Sequence, residues 1–144
     1  MAYFTATLVS ILLVSLCIVV HYEALNLLSK LIYQPRRHRW MVIVMMHGLL
    51  LAHVIEVWIF ALGHYAATEW LNLGQIHLEI GGPASAFFDY VYYSAMVYTT
   101  VGFGDMVPVG AVRMISSTEA MAGLALITWS ASFTFLQMER LWRR

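Results

Sequence analysis

The chain has 144 residues, of which 61% are hydrophobic and only 11% charged; its formal net charge is +0 and its mean hydropathy +0.74. Soluble domains run at roughly 45–50% apolar and about 25% charged, so this is the composition of a membrane protein with little mass outside the bilayer. A nucleic-acid partner is excluded, because the few basic residues sit at the edges of apolar stretches, and the single cysteine, Cys17, excludes an intrachain disulfide and a cysteine metal cluster.

Three apolar stretches reach the ~20 residues needed to cross a bilayer. The first runs from Tyr3 to Val20, with a more amphipathic extension to Tyr33. No Lys or Arg precedes its apolar core, so it is expected to be a retained helix and not a signal peptide. Cys17 is expected to act there as a small apolar residue. Pro35-Arg36-Arg37-His38-Arg39 then breaks the helix, since proline disfavours helix at and just before its position. The second stretch runs from Trp40 to Leu62. It carries His53 and Glu56, three residues apart and therefore on one face. His64 returns to about 20° from His53 at 3.6 residues per turn, while His47 points elsewhere. Ionisable groups within a span are costly and invite a functional reading. A metal or proton site is the sharper reading of this pair, and an inward-facing hydrogen-bonded pair the plainer one.

Gly81-Gly82-Pro83 reads as a turn. Ser85 is placed to cap a helix from Phe87 to Tyr98, with Asp89 in its first turn. That helix, about 18 Å long, is too short to span and is expected to enter partway and return. Residues 99–105 then read Thr-Thr-Val-Gly-Phe-Gly-Asp, followed by Met106-Val107-Pro108. Two glycines at alternate positions permit positive φ where other residues resist it. A strand so built can turn successive carbonyl oxygens toward one axis. Irregular backbone at that depth requires burial in protein or contact with water.

The string Thr100-Val101-Gly102-Phe103-Gly104-Asp105 resembles the selectivity filter of pore-loop potassium channels, with Phe where that family usually has Tyr. The resemblance covers roughly residues 40–138. Together with the first apolar stretch, which the minimal two-helix family does not explain, it implies an all-α membrane protein of three transmembrane helices plus a re-entrant pore helix and filter, assembled as a homotetramer. It implies that carbonyls of Thr100, Val101, Gly102 and Phe103 hold K+, that Gly102 and Gly104 supply backbone freedom, and that Asp105 rings the outer mouth. Tyr92, Tyr93 and Tyr98 are expected to form the aromatic packing around the loop. Some family members pair a pore-helix carboxylate with the filter aspartate; the matching residue here is Met96, so support from behind must differ. The domain reading is 1–39 as an additional helix with a basic linker and 40–144 as the pore domain. The latter divides into an outer helix 40–63, extracellular loop 64–86, pore helix 87–99, filter 100–105 and inner helix 113–138.

The third stretch runs from Met114 to Leu136. Glu119 is expected to face the pore helix and accept from Tyr or Ser hydroxyls. By resemblance Gly123 sits at a hinge, with close helix packing as the alternative. Leu124, Ile127, Ala131 and Phe135 would then face the cavity, with Phe135 as a candidate constriction. Basic residues cluster at Lys30, Arg36, Arg37 and Arg39 and at Arg140, Arg143 and Arg144. The positive-inside rule puts both clusters in the cytoplasm and the N-terminus outside, in a membrane expected to be the bacterial inner membrane. Arg36, Arg37 and Arg39 are candidates for anionic lipid, and His64 and His77 for exposed pH sensing. No helix carries a basic residue at every third position, so no voltage sensor is expected, nor is a cytoplasmic ligand-binding domain after Leu136. No cofactor and no enzyme activity are expected. The competing readings are a weakly selective cation channel on the same scaffold, a metal- or haem-binding membrane protein using His47, His53, Glu56 and His64, and a non-conducting subunit.

Overall fold

A computed structural model describes residues 1–32, 38–80 and 82–142. Three long helices dominate: α1 (Ala2–Ile32), α2 (His38–Glu69) and, last in the chain, α4 (Val112–Trp142). Each has the length and hydropathy to cross a membrane. Between α2 and α4 come strands β1 (Gly74–Leu78) and β2 (Gly82–Pro83), the short helix α3 (Phe87–Tyr98) and strand β3 (Met106–Gly110).

Glycine and proline are absent from α1, so nothing interrupts it over 31 residues. Its buried residues, Ala6, Ser10, Leu13, Cys17, His21, Leu25 and Leu28, recur every three or four positions and form one stripe. Phe4, Leu8, Ile11, Leu12 and Val19 occupy the exposed remainder, as suits a lipid-facing surface. The stripe packs on α2 in antiparallel register: Leu13 covers Gly63 and Leu28 covers Gly48. Glycines there allow the close approach that small residues give membrane helices. Helix α2 is antiparallel to α4 as well, with His64 meeting Glu119 and His53 meeting Ser130.

α3 is seated between α2 and α4 by one polar face whose residues step by four. Tyr90 meets Thr68 and Glu69 at one end of α2. Ser94 meets Glu119 and the Val57 carbonyl in the middle. Tyr98 meets Glu56 at the deep end. Glu56 lies about 20 Å along α2 from Glu69 at 1.5 Å per residue, so α3 ends near the middle of the helical layer. It enters partway, as its length requires.

Four details differ from the sequence reading. The outer helix does not stop at 63 but continues to Glu69. No breaker follows Gly63, His64 finds a buried partner, and Thr68 bonds back to the His64 carbonyl. The inner helix likewise extends from Val112 to Trp142. The cap of α3 is Ala86, not Ser85. Asp89 Oδ2 reaches back to accept the Ser85 and Ala86 N–H groups at 3.2 and 3.0 Å, which does the work a serine hydroxyl would have done. Finally, the segments flanking α3 are not plain loop. They form a three-stranded antiparallel sheet of order β2-β1-β3 with Ile76 opposite Pro108. Pro108 fits because β3 is an edge strand. This sheet ties the segment that follows residue 105 to the segment that precedes α3.

Candidate functional site: a re-entrant backbone segment and its polar support

The backbone from Thr99 to Asp105 departs from the end of α3. Thr99 N–H donates to the Ala95 carbonyl at 3.2 Å, Thr100 N–H to Val97 at 3.0 Å, and Gly102 N–H to Met96 at 3.2 Å. Positive φ then alternates along the run: 59° at Thr100, 51° at Gly102 and 85° at Gly104. Alternation of hand between neighbouring residues turns backbone polar groups toward a common side. A methyl built on Gly102 or Gly104 meets nothing within 4 Å, so these glycines are there for φ and not for space. Thr100 had no such signal. A β-branched residue at positive φ is an outlier that costs roughly 1–3 kcal/mol. Within the single chain Val101 and Phe103 are 54% and 71% exposed, and Thr100, Gly102 and Gly104 are exposed with them.

Asp105 closes the run. Its carbonyl accepts from Glu79 N–H at 2.8 Å, which extends the β1–β3 ladder, and its Oδ2 accepts from Tyr92 O–H at 2.9 Å. That bond to a carboxylate holds the Tyr92 phenol above its ordinary pKa. The three tyrosines expected to pack around the loop are each held by their hydroxyls to different partners. Tyr92 takes Asp105, Tyr93 takes Ser116 at 2.7 Å and Tyr98 takes Glu56.

Two buried polar clusters stand behind this segment. In the first, Glu119 Oε2 lies 2.7 Å from His64 Nε2 and its Oε1 2.5 Å from Ser94 Oγ. Glu119 therefore faces α3 and accepts from a serine, as its position predicts. His64 does not join His53 and Glu56. It shares their face of α2 but lies three turns away and pairs with α4. In the second cluster Glu56 is fully buried. His21 Nδ1 lies 2.8 Å from its Oε1 and His53 Nδ1 3.0 Å from its Oε2, while Tyr98 O–H donates to it. Ser130 Oγ faces both rings from α4.

His21 was outside the sequence reading. It falls one residue past the first span as drawn there, and the rule that intramembrane ionisable groups carry meaning applies to it equally. Donor atoms of His21, His53 and Glu56 lie within 4.8 Å of one another. Each ring nitrogen and both carboxylate oxygens already have hydrogen-bond partners, so the arrangement is a closed hydrogen-bond network and not an open ligand set. His47 is exposed and bonds its own helix at Ile43. The four residues of the metal or haem reading are therefore not brought together.

Gly123 is buried, and a methyl on it would lie 2.1 Å from the Tyr98 carbonyl oxygen. The geometry supports close packing at this position. Leu124 is exposed; Ile127, Ala131 and Phe135 line a groove of about 520 Å³ between α2 and α4, which His53 and Ser130 also reach. His77 lies in β1. Arg36, Arg37, Arg143 and Arg144 lie outside the described residues.

No curated protein and no solved structure matches the chain. A family model described as ion channel matches residues 52–140, which covers α2 from residue 52 onward, the whole sheet and the segment around α3, and nearly all of α4, but not α1. The match spans more than half of the chain and takes in the parts of α2 and α4 that clasp the re-entrant segment: the chain belongs to the ion channel family.

Proposed function

We propose that the protein is a homotetrameric potassium channel whose filter is Thr100–Gly104. The observation that carries this reading is the alternation of positive φ at residues 100, 102 and 104 in an exposed strand that starts at mid-helix depth. Such a strand buried alone in lipid would leave its peptide groups unsatisfied. Four copies about a shared axis would supply both water and opposing carbonyls, with K+ at Thr100, Val101, Gly102 and Phe103 replacing its hydration shell. The α3 axis supports this, since its negative dipole end is where the strand begins. Asp105 would stand at the outer mouth and raise local cation concentration. Leu124, Ile127, Ala131 and Phe135 would line the inner vestibule.

The basic residues orient the assembly. Arg39 near the start of α2 and Arg140 near the end of α4, with Arg36, Arg37, Arg143 and Arg144 beside them in the sequence, would lie in the cytoplasm, where Arg36, Arg37 and Arg39 would meet anionic lipid. The sheet and the N-terminus would lie outside. No bond is made or broken in this reading, and the permeant ion moves down its gradient. The test is potassium flux from vesicles reconstituted with this chain alone. Wild type is expected to release potassium and Gly102→Ala to lose that release; equal flux in the two would remove the filter assignment.

A further inference from the structure

The helix that the ion channel match leaves out reaches the base of the pore loop through one buried chain of side chains. His21 of α1 touches Glu56 of α2, and Glu56 accepts from Tyr98, the last residue of α3 and two residues before Thr100. On the far side of the two imidazoles stands a single hydroxyl. Ser130 Oγ lies 3.0 Å from His53 Nε2 and 3.3 Å from His21 Nε2.

Protons can be counted in this network. An ionised Glu56 only accepts, so both Nδ1 atoms and Tyr98 donate into it, with His53 Nδ1 also 2.9 Å from the Tyr98 hydroxyl oxygen. If both rings are neutral, both Nε2 atoms are bare acceptors facing one oxygen that owns one proton. One Nε2 then has no proton to accept from the protein, since Ser130 can donate to only one ring at a time. A single added proton removes the mismatch. The imidazolium donates from Nε2 to Ser130 Oγ, Ser130 donates to the other ring, and the charge is balanced by Glu56. A second feature agrees. The Trp129 ring lies 5.4 Å from the His21 ring, within the distance at which an indole attracts a cation.

We propose that His21 is a positioning residue for the pore loop: with His53 it carries one shared proton, holds Glu56 against Tyr98, and so fixes the point from which residues 99–104 depart. This rests on reading that segment as the conduction path. The groups facing the pair are Cys17 on α1, whose Sγ is 4.0 Å from the Glu56 carbonyl, His53 and Glu56 on α2, Tyr98 on α3, and Ser130 and Trp129 on α4. Glu119 is engaged by His64 and Ser94.

The test uses full-length protein in lipid nanodiscs and in vesicles. Amide hydrogen exchange over residues 97–104 is followed together with the reversal potential in mixed potassium and sodium, each across a pH series. His21→Ala is expected to speed exchange in that segment about tenfold, as loss of one hydrogen-bonded support would, and to lower potassium preference. Wild type is expected to loosen in the same segment as pH rises and the shared proton leaves. His21→Gln keeps a donor to Glu56 but takes no proton, and is expected to hold the segment with a flat pH profile. Ser29→Ala, on the same helix with its hydroxyl on the Asn26 carbonyl, is the control. Exchange in folded His21→Ala equal to that control, or a wild-type pH profile in His21→Gln, overturns the proposal. If His21→Ala does not fold, His21→Gln and Tyr98→Phe decide it by the same exchange readout. Vesicles of wild type that pass no potassium would sink the conduction reading alone, while exchange would still report whether His21 positions the segment.

Discussion

Substitution of Gly123 by alanine separates two readings of one residue. The new methyl would lie 2.1 Å from the Tyr98 carbonyl oxygen, 2.9 Å from its carbon and 3.1 Å from Cα. All three are backbone atoms, so no side-chain rotation relieves the clash. Helix α4 must move away from the end of α3 by about 1 Å to restore ordinary contact. Overpacking of this kind costs about 1–3 kcal/mol. Against it stands the gain of about 1 kcal/mol that alanine brings over glycine inside a helix. The expected net effect is a loss of up to about 2 kcal/mol, with the displacement delivered at the residue that precedes Thr99. Gly63→Ala is the matched control. Its methyl would meet Leu13 Cδ1 at 2.4 Å and Cδ2 at 2.9 Å, side-chain atoms that can shift where the Tyr98 backbone cannot, so a smaller loss is expected than at Gly123. Unfolding titrated in mixed micelles measures both, and flux measures the consequence at the pore loop. If Gly123→Ala is as stable as Gly63→Ala while only open probability changes, the packing argument is wrong and the residue acts as a hinge.

Three further outcomes follow from the polar contacts and the groove. Glu119→Ala leaves His64, whose Nδ1 already has no hydrogen-bond partner, without either contact in a buried site; a loss of roughly 3–5 kcal/mol is expected, and Glu119→Gln should cost clearly less in the same unfolding titration. The Tyr92 phenol is held up by the Asp105 carboxylate. Its contribution is therefore present below the ordinary tyrosine pKa of ~10 and lost as pH rises through the raised value, and in Asp105→Asn a spectrophotometric titration should show one phenol ionising earlier. Phe135→Ala should raise unitary current or open probability if a ring of Phe135 gates the inner mouth by dewetting; unchanged values in single-channel recordings would place the constriction elsewhere.

Much of this molecule is visible in its sequence because membrane physics leaves few options. Three apolar stretches, a helix too short to span, and a glycine-spaced run before Asp105 could be read from length and residue type alone. Glu119 could be assigned to α3 because a carboxylate at that depth needs a hydroxyl or cation partner, and Ser94 supplies one. What was not legible depends on contacts between distant segments. The β1–β3 pairing is set by register between residues 74–78 and 106–110, and neither stretch alternates strongly enough to announce a strand. His21 lies in the amphipathic extension of the first span, where the sequence reading assigns it no role. Its meaning appears only when α1 lies antiparallel on α2 and brings it to Glu56. Likewise His53 and His64 share a helical face by spacing, yet α4 divides that face between two partners, Ser130 and Glu119. Positive φ at Thr100 contradicts its own residue preference, so residue type could not announce it.

The most direct test of the central claim is the reversal potential of channels formed by this chain alone in planar bilayers, with potassium on one side replaced stepwise by sodium. A potential that tracks the potassium gradient and shifts with each replacement is the expected result. No shift on exchanging the two ions would show that the Thr100–Gly104 segment does not select potassium.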